Sequence, residues 1–184
     1  DLYDNIRTNL IVNLADSDSI FAQDWYNHRE LITRKLIKKP VMMIPYSGTV
    51  YGIAITLKDY IAREKIPFPW GSDSFKHYHY LALKIKESVD NVCPTASNIM
   101  NYLNSVARCF AKEDKAIEWT TPSGFFVKQS YFITKRKRIE TKLGYSRVDV
   151  ALQENTKDLD KKKTTQSFPA NFIHSLDAAN VHLA

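Results

Sequence analysis

Apolar residues near the start of the chain recur at the spacing of one face of an α-helix. Leu2, Ile6, Leu10 and Leu14 lie four residues apart and form one stripe, which a polar break at Asp16–Ser19 brings to an end. The pattern therefore predicts an amphipathic first helix with this stripe in the core.

Further helices are predicted, separated by proline and glycine residues that interrupt regular structure. The second helix begins near Phe21 and runs towards Lys38. The interrupting residues in this part of the chain are Pro40, Pro45, Pro67, Pro69 and Gly71. The other predicted helices are Thr56–Glu64, a helix with Tyr78, Leu81, Ile85 and Val89 on one face, and a helix opened by Pro94 and Thr95 with Ile99, Leu103, Val106 and Phe110 on one face.

From Ala116 the pattern becomes aromatic and β-branched, which is typical of strands. Two such runs flank the turn residues Pro122–Gly124 and predict a β-hairpin. The elements predicted from here on are strands at Ile117–Thr121, Phe125–Thr134 and Arg138–Val150, a charged loop at Asn155–Thr165, and a last helix near His174 after Phe168 and Pro169.

These elements predict a mostly α, α+β fold with a small antiparallel β-hairpin or sheet. No internal repeat and no linker divides the chain, so residues 1–184 are predicted to form a single partial domain. Its expected parts are a mainly helical region at 1–115, a β-hairpin region at 116–152, and a basic loop with the start of a helix at 153–184. Both ends fall within predicted helices, so we expect a piece of a longer protein.

Composition narrows the function classes only slightly. The chain is 44% hydrophobic and 12% aromatic, which excludes a disordered protein, and its formal net charge is +6. A basic surface favours nucleic acid or nucleotides, although an ordinary basic protein has the same charge. The two cysteines are not at metal or disulfide-framework spacing, and no apolar run is long enough to predict a membrane span.

The first group of candidate residues lies in the string RKLIKKPVMMIPYSGTVYG, at residues 34–52. Arg34 and Lys38 are four residues apart, so on a helix they share one face, and together they can bind a triphosphate. Tyr46 follows Lys38 by eight residues, which places it roughly 80° round the same helix. The alternative is a solvated basic helix face with a tyrosine in the core.

Two further strings combine aromatic and polar residues. They are WTTPSGFFVKQSY at residues 119–131 and FPANFIHSLDAAN at residues 168–180. Aromatic side chains beside basic ones suit contacts with nucleic acid, which makes Lys128 and the basic run at 135–138 candidates. The alternative is that the aromatic residues form the hydrophobic face of the sheet and that the charges are simply solvated.

Taken together and in this order, the three strings resemble the single-subunit, phage- or mitochondrial-type DNA-directed RNA polymerases. The resemblance spans nearly the whole chain. The matching positions are Arg34, Lys38 and Tyr46, then Trp119, Thr121, Pro122, Gly124, Phe125, Val127, Gln129 and Tyr131, then Asn171, Phe172, His174, Ser175 and Asp177.

The resemblance implies a role for several of these residues. Arg34 and Lys38 match the family's triphosphate-binding pair, and Tyr46 matches the tyrosine that helps to select ribose, so Lys38 and Tyr46 are also the catalytic candidates. His174 is implied to face the growing RNA end. Ser47 departs from the pattern, because the family usually has glycine there.

Asp177 is not implied to bind metal. It is expected instead to order the start of a helix.

The resemblance also implies the fold and the reaction. The fold would be the helical fingers subdomain of a right-hand polymerase, together with adjoining palm pieces. The reaction would be two-metal nucleotidyl transfer with Mg²⁺, in which ribonucleoside triphosphates extend an RNA product on a DNA template. No His-Asp pair occurs in the sequence. We therefore expect the Mg²⁺-binding aspartates to lie outside these residues, no metal ligands within them, and no polymerisation by the 184 residues alone.

A monomeric polymerase chain in the mitochondrion, encoded by an organelle genome or plasmid, is the expected setting. Two alternatives stay open at this point. One is a fragment of a family A DNA polymerase, which has a similar basic-to-tyrosine helix. The other is a non-catalytic nucleic-acid-binding remnant of a decayed polymerase gene.

Overall fold

The computed structural model of the chain describes residues 1–67, 69–70, 74–144 and 146–184. These residues form two compact units, at 1–101 and 102–184. The boundary falls within one helix, α6 (Pro94–Lys112). The single partial domain expected over residues 1–184 stays a prediction.

The first unit is helical throughout its regular structure. Its helices are α1 Leu2–Ala15, α2 Ile20–Asn27, α3 Arg34–Met43, α4 Val50–Arg63, α5 Ser74–Val92 and the first part of α6 Pro94–Lys112. Short 3-10 turns at Arg29–Leu31 and Ile44–Tyr46 precede and follow α3. The mostly α, α+β fold class is confirmed by these helices together with the small sheets of the second unit.

The core of the first unit is the one that the helical stripes predict. Ile6, Leu10 and Leu14 of α1 are buried, and only Leu2 of that stripe is exposed. All four predicted apolar residues of α5 are also buried, and α5 packs against α1 and α4. Trp25 of α2 is completely buried and donates its indole N–H to the carbonyl of His77 at 2.9 Å.

The prediction of one helix from Phe21 to Lys38 is wrong. The chain breaks after α2, and α3 begins at Arg34 because the Thr33 hydroxyl accepts a hydrogen bond from the Leu36 amide at 3.2 Å and caps a new helix. Pro40 does not interrupt this helix, which continues to Met43 with Pro40 buried in its interior. Packing of that ring offsets the hydrogen bond that proline cannot donate.

Helix α4 begins at Val50, earlier than the predicted Thr56–Glu64. Thr49 caps it by accepting a hydrogen bond from the Gly52 amide at 3.1 Å. In the proline-rich loop, Pro67 and Pro69 lie outside helices and strands as expected, whereas Gly71 lies outside the described residues.

The second unit contains the predicted hairpin. Strands β1 Ile117–Thr120 and β2 Phe126–Gln129 pair antiparallel. The turn between them is closed by a hydrogen bond from the Gly124 amide to the Thr121 carbonyl at 2.9 Å, with Gly124 at a φ of 85°. Such a positive φ is accessible to glycine without steric cost, which explains the Pro-x-Gly turn.

Two predictions after residue 130 are wrong, and the last helix begins earlier than expected. Instead of one strand at Arg138–Val150, the chain forms two long antiparallel strands, β3 Phe132–Leu143 and β4 Ser146–Leu159. The predicted charged loop at Asn155–Thr165 is the end of β4 and the start of α7 Lys161–Leu183. The helix begins this early because the Asp160 carboxylate caps it, accepting from the Lys163 amide at 2.9 Å.

A small apolar cluster holds the second unit together. Leu103 and Ala107 of α6, Ile117 of β1 and Phe168 of α7 are buried in it. The predicted stripe of α6 is only partly correct, since the helix buries alanines beside Leu103, whereas Ile99 is 49% exposed. Among the described residues, no helix is both long and apolar enough to span a bilayer.

Candidate functional site

Helix α3 carries the two candidate triphosphate ligands on its outer surface. Leu36, Ile37 and Val41 of this helix are buried against the core of the first unit. Arg34 and Lys38 are exposed and lie one helical turn apart. The fold therefore turns this pair of cations towards solvent, where a ligand can reach it.

Arg34 already has an anionic partner. Its Nε and Nη2 atoms each lie 2.6 Å from Oδ2 of Asp1, and its guanidinium lies over the ring of Tyr3 at 5.2 Å. The Arg34 side chain remains 46% exposed. A phosphate that binds Arg34 has to share it with this carboxylate or displace it.

Lys38 has fewer contacts with other side chains than Arg34 has. It is exposed, and within the described ranges of the chain it forms no ion pair or hydrogen bond. Its neighbour Lys39 is also exposed but lies about 100° further round the helix. Lys38 can thus meet an anionic ligand without first losing an internal contact.

Tyr46 does not lie on a continuation of the same helix. Because α3 ends at Met43, Tyr46 closes the 3-10 turn that follows, and the angle of roughly 80° expected from an unbroken helix does not apply. The tyrosine is 53% exposed at the corner between α3 and α4, so a core tyrosine is not what the structure shows. Whether Arg34, Lys38 and Tyr46 line one pocket stays a prediction.

Two backbone hydrogen bonds close the corner after Tyr46. The amide of Ser47 donates to the carbonyl of Ile44 at 3.0 Å, and the amide of Gly48 donates to the carbonyl of Met43 at 2.9 Å. This is the Schellman arrangement, in which the residue after the helix end takes left-handed backbone. Ser47 has a φ of 57°, and this conformation is a physical reason for glycine at the position.

The two later strings dock onto each other within the second unit. The indole N–H of Trp119 donates to Oγ of Ser175 at 2.8 Å, and that hydroxyl donates to the carbonyl of Phe172 at 2.7 Å. The Trp119 ring also meets the rings of Phe168 and Phe172, with centroids 5.6 and 5.9 Å apart. These motif residues thus hold the β1–β2 hairpin against α7.

A second contact between the same elements is polar. Gln129 is buried and donates to the carbonyl of Thr164 at 2.9 Å, while its Oε1 accepts from Asn171 at the same distance. Asn171 also donates to the hydroxyl of Tyr131 at 3.2 Å. The sequence spacing had given no sign that these two strings form one polar network.

The candidate nucleic-acid ligands lie on the surface of the second unit. Lys128 is 57% exposed and pairs across the hairpin with Glu118, at 2.6 Å between Nζ and Oε1. His174 is exposed on α7. Asp177 lies well inside α7, so the expectation that it orders the start of a helix is wrong.

The basic run at 135–138 lies on β3. Alternate residues of a strand point to opposite faces, so Arg136 and Arg138 share one face of the β3–β4 ribbon and Lys135 and Lys137 share the other. All four are exposed. The ribbon therefore presents cations on both faces.

Sequence reasoning missed one polar cluster in the first unit. The imidazole Nε2 of His77 lies 2.9 Å from Oδ2 of Asp24, and the ring stacks on Trp70 with centroids 4.5 Å apart. Asp24 and His77 lie on different helices, and no motif connects them. The cluster joins α2 to α5.

The fit of the described residues to Mg²⁺ is poor. No three His, Cys, Asp or Glu side chains in the part of the chain that the structure describes converge as metal ligands.

Comparison with known proteins supports the resemblance. A family model of DNA-dependent RNA polymerase matches residues 1–184. The polymerase of Pseudomonas phage phiKMV is 29% identical over 83% of this chain and 18% of its own length. DNA-directed RNA polymerase 2, chloroplastic/mitochondrial, of Arabidopsis thaliana is 29% identical over 98% of this chain and 18% of its own length.

A third relative, DNA-directed RNA polymerase 2A of Nicotiana tabacum, is 31% identical over 82% of this chain and 44% of its own length. The chain thus spans less than half the length of each of these relatives. Since the family match extends from the first residue to the last, the chain belongs to the single-subunit DNA-dependent RNA polymerases.

Proposed function

We propose that these residues form the nucleotide-binding fingers region of a DNA-directed RNA polymerase that extends RNA on a DNA template. The observation that carries the proposal is the exposed cation pair of α3, Arg34 and Lys38, followed by an exposed Tyr46 at the next corner of the same unit. Family membership supports the same reading.

The proposed chemistry rests on charge. The Lys38 ammonium donates hydrogen bonds to oxygens of the triphosphate and stabilises the negative charge that grows on the leaving pyrophosphate. The planar guanidinium of Arg34 also binds the triphosphate, once a phosphate oxygen has replaced the Asp1 carboxylate as its hydrogen-bond partner. Tyr46 places its hydroxyl near the sugar, where it distinguishes a ribose from a deoxyribose.

The second unit is proposed to contact the nucleic acid. Lys128 and His174 are both exposed, and an imidazole can donate to a minor-groove acceptor at the end of the RNA. Arg136 and Arg138 on one ribbon face add positive charge for a phosphate backbone. The partners are thus a DNA template, an RNA product and ribonucleoside triphosphates.

We assign the two Mg²⁺-binding aspartates to residues outside 1–184, so that the reaction requires more chain than this. We also propose a monomeric polymerase that acts in an organelle such as the mitochondrion, a location supported by the name of the chloroplastic/mitochondrial relative from Arabidopsis thaliana.

The test is nucleotide binding by the 184-residue chain. Fluorescence anisotropy of a labelled ATP should give saturable binding that Lys38→Ala weakens by about 10–100-fold, the value of one hydrogen bond to a charged group. Lys39→Ala is the matched control, because it removes the same charge from the neighbouring position on α3. Equal losses in the two variants would mean that only general charge attraction is at work and would refute the proposed site.

A further inference from the structure

The corner between α3 and α4 leaves Tyr46 little freedom of position. Only Ser47 and Gly48 separate it from Thr49, which caps α4. On the N-terminal side, the hydrogen bonds donated by the amides of Ser47 and Gly48 close the end of the preceding turn. The direction of the Cα–Cβ bond of Tyr46 is therefore set by the backbone of this corner, which only a two-residue link joins to α4.

Gly48 is the tightest point of this link. A Cβ atom at this position would lie 2.7 Å from the carbonyl oxygen of Met43 and 2.9 Å from its Cβ. Real Cβ atoms do not approach a backbone oxygen so closely, so any larger residue forces the backbone to move. The oxygen in question is the one that accepts the Gly48 amide at 2.9 Å.

Ser47, in contrast, tolerates its own position. It holds left-handed backbone with a side chain already present, so glycine at residue 47 is favourable but not required. The steric requirement for glycine in this chain lies one residue later than the glycine that the family pattern usually places after the tyrosine.

We propose that Gly48 is a positioning residue for ribose selection: its missing side chain lets the Schellman corner close against Met43, and the closed corner fixes the hydroxyl of Tyr46 relative to the sugar. This inference rests on the proposed function of Tyr46. A side chain on residue 48 opens the corner, turns the tyrosine and removes discrimination at the 2′-hydroxyl, while the cations of α3 keep their hold on the triphosphate.

The experiment compares Gly48→Ala with Ser47→Gly in the 184-residue chain. Competition of ATP and dATP against a labelled ATP gives the ratio of their dissociation constants. The wild-type ratio is expected to favour ATP by about fivefold or more, the value of one ordinary hydrogen bond, and to fall to near one in Gly48→Ala. Ser47→Gly should keep the wild-type ratio, and inhibition by inorganic tripolyphosphate should be unchanged in both variants. A loss of stability alone would not move this ratio.

The outcomes distinguish the role of Tyr46 in ribose selection from the role of Gly48 in positioning Tyr46. A wild-type ratio near one would overturn ribose selection by Tyr46 and this inference with it. A wild-type preference that survives in Gly48→Ala would overturn the role of Gly48 alone. Hydrogen exchange of the residue-48 amide is the second measurement, and it needs no variant. Protection in the wild-type chain is expected, and rapid exchange there would overturn the closed corner even if Gly48→Ala failed to fold.

Discussion

Replacing Ser47 by glycine is expected to stabilise the first unit, although it removes a side chain. Ser47 holds left-handed backbone at a φ of 57°, and its hydroxyl oxygen is buried without a hydrogen-bond partner among the described residues. Both features raise the free energy of the folded chain. Glycine adopts the left-handed backbone without this steric cost, and it has no hydroxyl to leave without a partner.

The magnitude follows from three contributions. Left-handed backbone costs an ordinary residue about 1–2 kcal/mol, and a buried hydroxyl without a partner costs about 1–3 kcal/mol. The greater freedom of glycine in the unfolded chain opposes the gain by about 0.5–1 kcal/mol. We take the lower part of these ranges, because Ser47 as a whole is only half-buried, and expect a net stabilisation of about 1–2 kcal/mol.

Urea unfolding followed by far-ultraviolet circular dichroism measures this change, with the midpoint and slope fitted separately. Ser47→Ala is the control, because it removes the hydroxyl but keeps a Cβ on left-handed backbone. Its gain should be smaller than that of Ser47→Gly. If Ser47→Gly left the midpoint unchanged or lowered it, the assignment of strain to this corner would be wrong.

Three further predictions concern other parts of the chain. Tyr46→Phe, in a polymerase that contains these residues, should reduce the preference for rNTP over dNTP in primer extension, and an unchanged preference would contradict the role of the hydroxyl. Burial raises the pKa of Tyr78 to about 12, so the folded chain holds this proton more tightly than the unfolded chain does, and stability should be lost as the pH rises from about 10 to about 12. Tyr78→Phe should reduce that loss by up to about 2–3 kcal/mol in urea titrations at each pH, and an identical pH dependence in both chains would refute it. A double-mutant cycle with Trp119→Phe and Ser175→Ala should give a coupling energy of about 1 kcal/mol, since each variant removes one side of the same hydrogen bond; additive effects would show that the bond contributes nothing.

Much of the helical part could be predicted from the sequence, because its helices each bury one face. The stripes of α1 and α5 give the correct core residues for that reason. The turn at Gly124 was also predictable, since proline and glycine at fixed positions specify it. A single sequence therefore predicts two kinds of feature well: elements that bury one face, and turns or caps that particular residues specify.

The errors arise where neither feature is present. The β3–β4 ribbon is exposed on both faces, so its strands show no alternation of buried and solvated residues, and their charges resembled those of a loop. The break before α3 depends on one hydroxyl, that of Thr33, which nothing in the apolar pattern indicates. In α6 the buried face is made largely of alanine, which a search for large apolar residues overlooks.

In the candidate site too, the positions of the residues could be predicted, whereas their contacts could not. The resemblance identified Arg34, Lys38 and Tyr46 by position, but the partner of Arg34 lies 33 residues away, at Asp1. The angle between Lys38 and Tyr46 could not be predicted, because it depends on where α3 ends. Contacts that join distant parts of the chain have no local signal to reveal them.

The β3–β4 ribbon has a consequence for handling the protein. Each of its strands has one backbone edge that, in the described part of the chain, no third strand covers. Such edges invite edge-to-edge association between copies, and closely spaced lysine and arginine residues such as those at 135–138 oppose it by mutual repulsion. Salt screens that repulsion, so association of copies through the ribbon should increase with ionic strength.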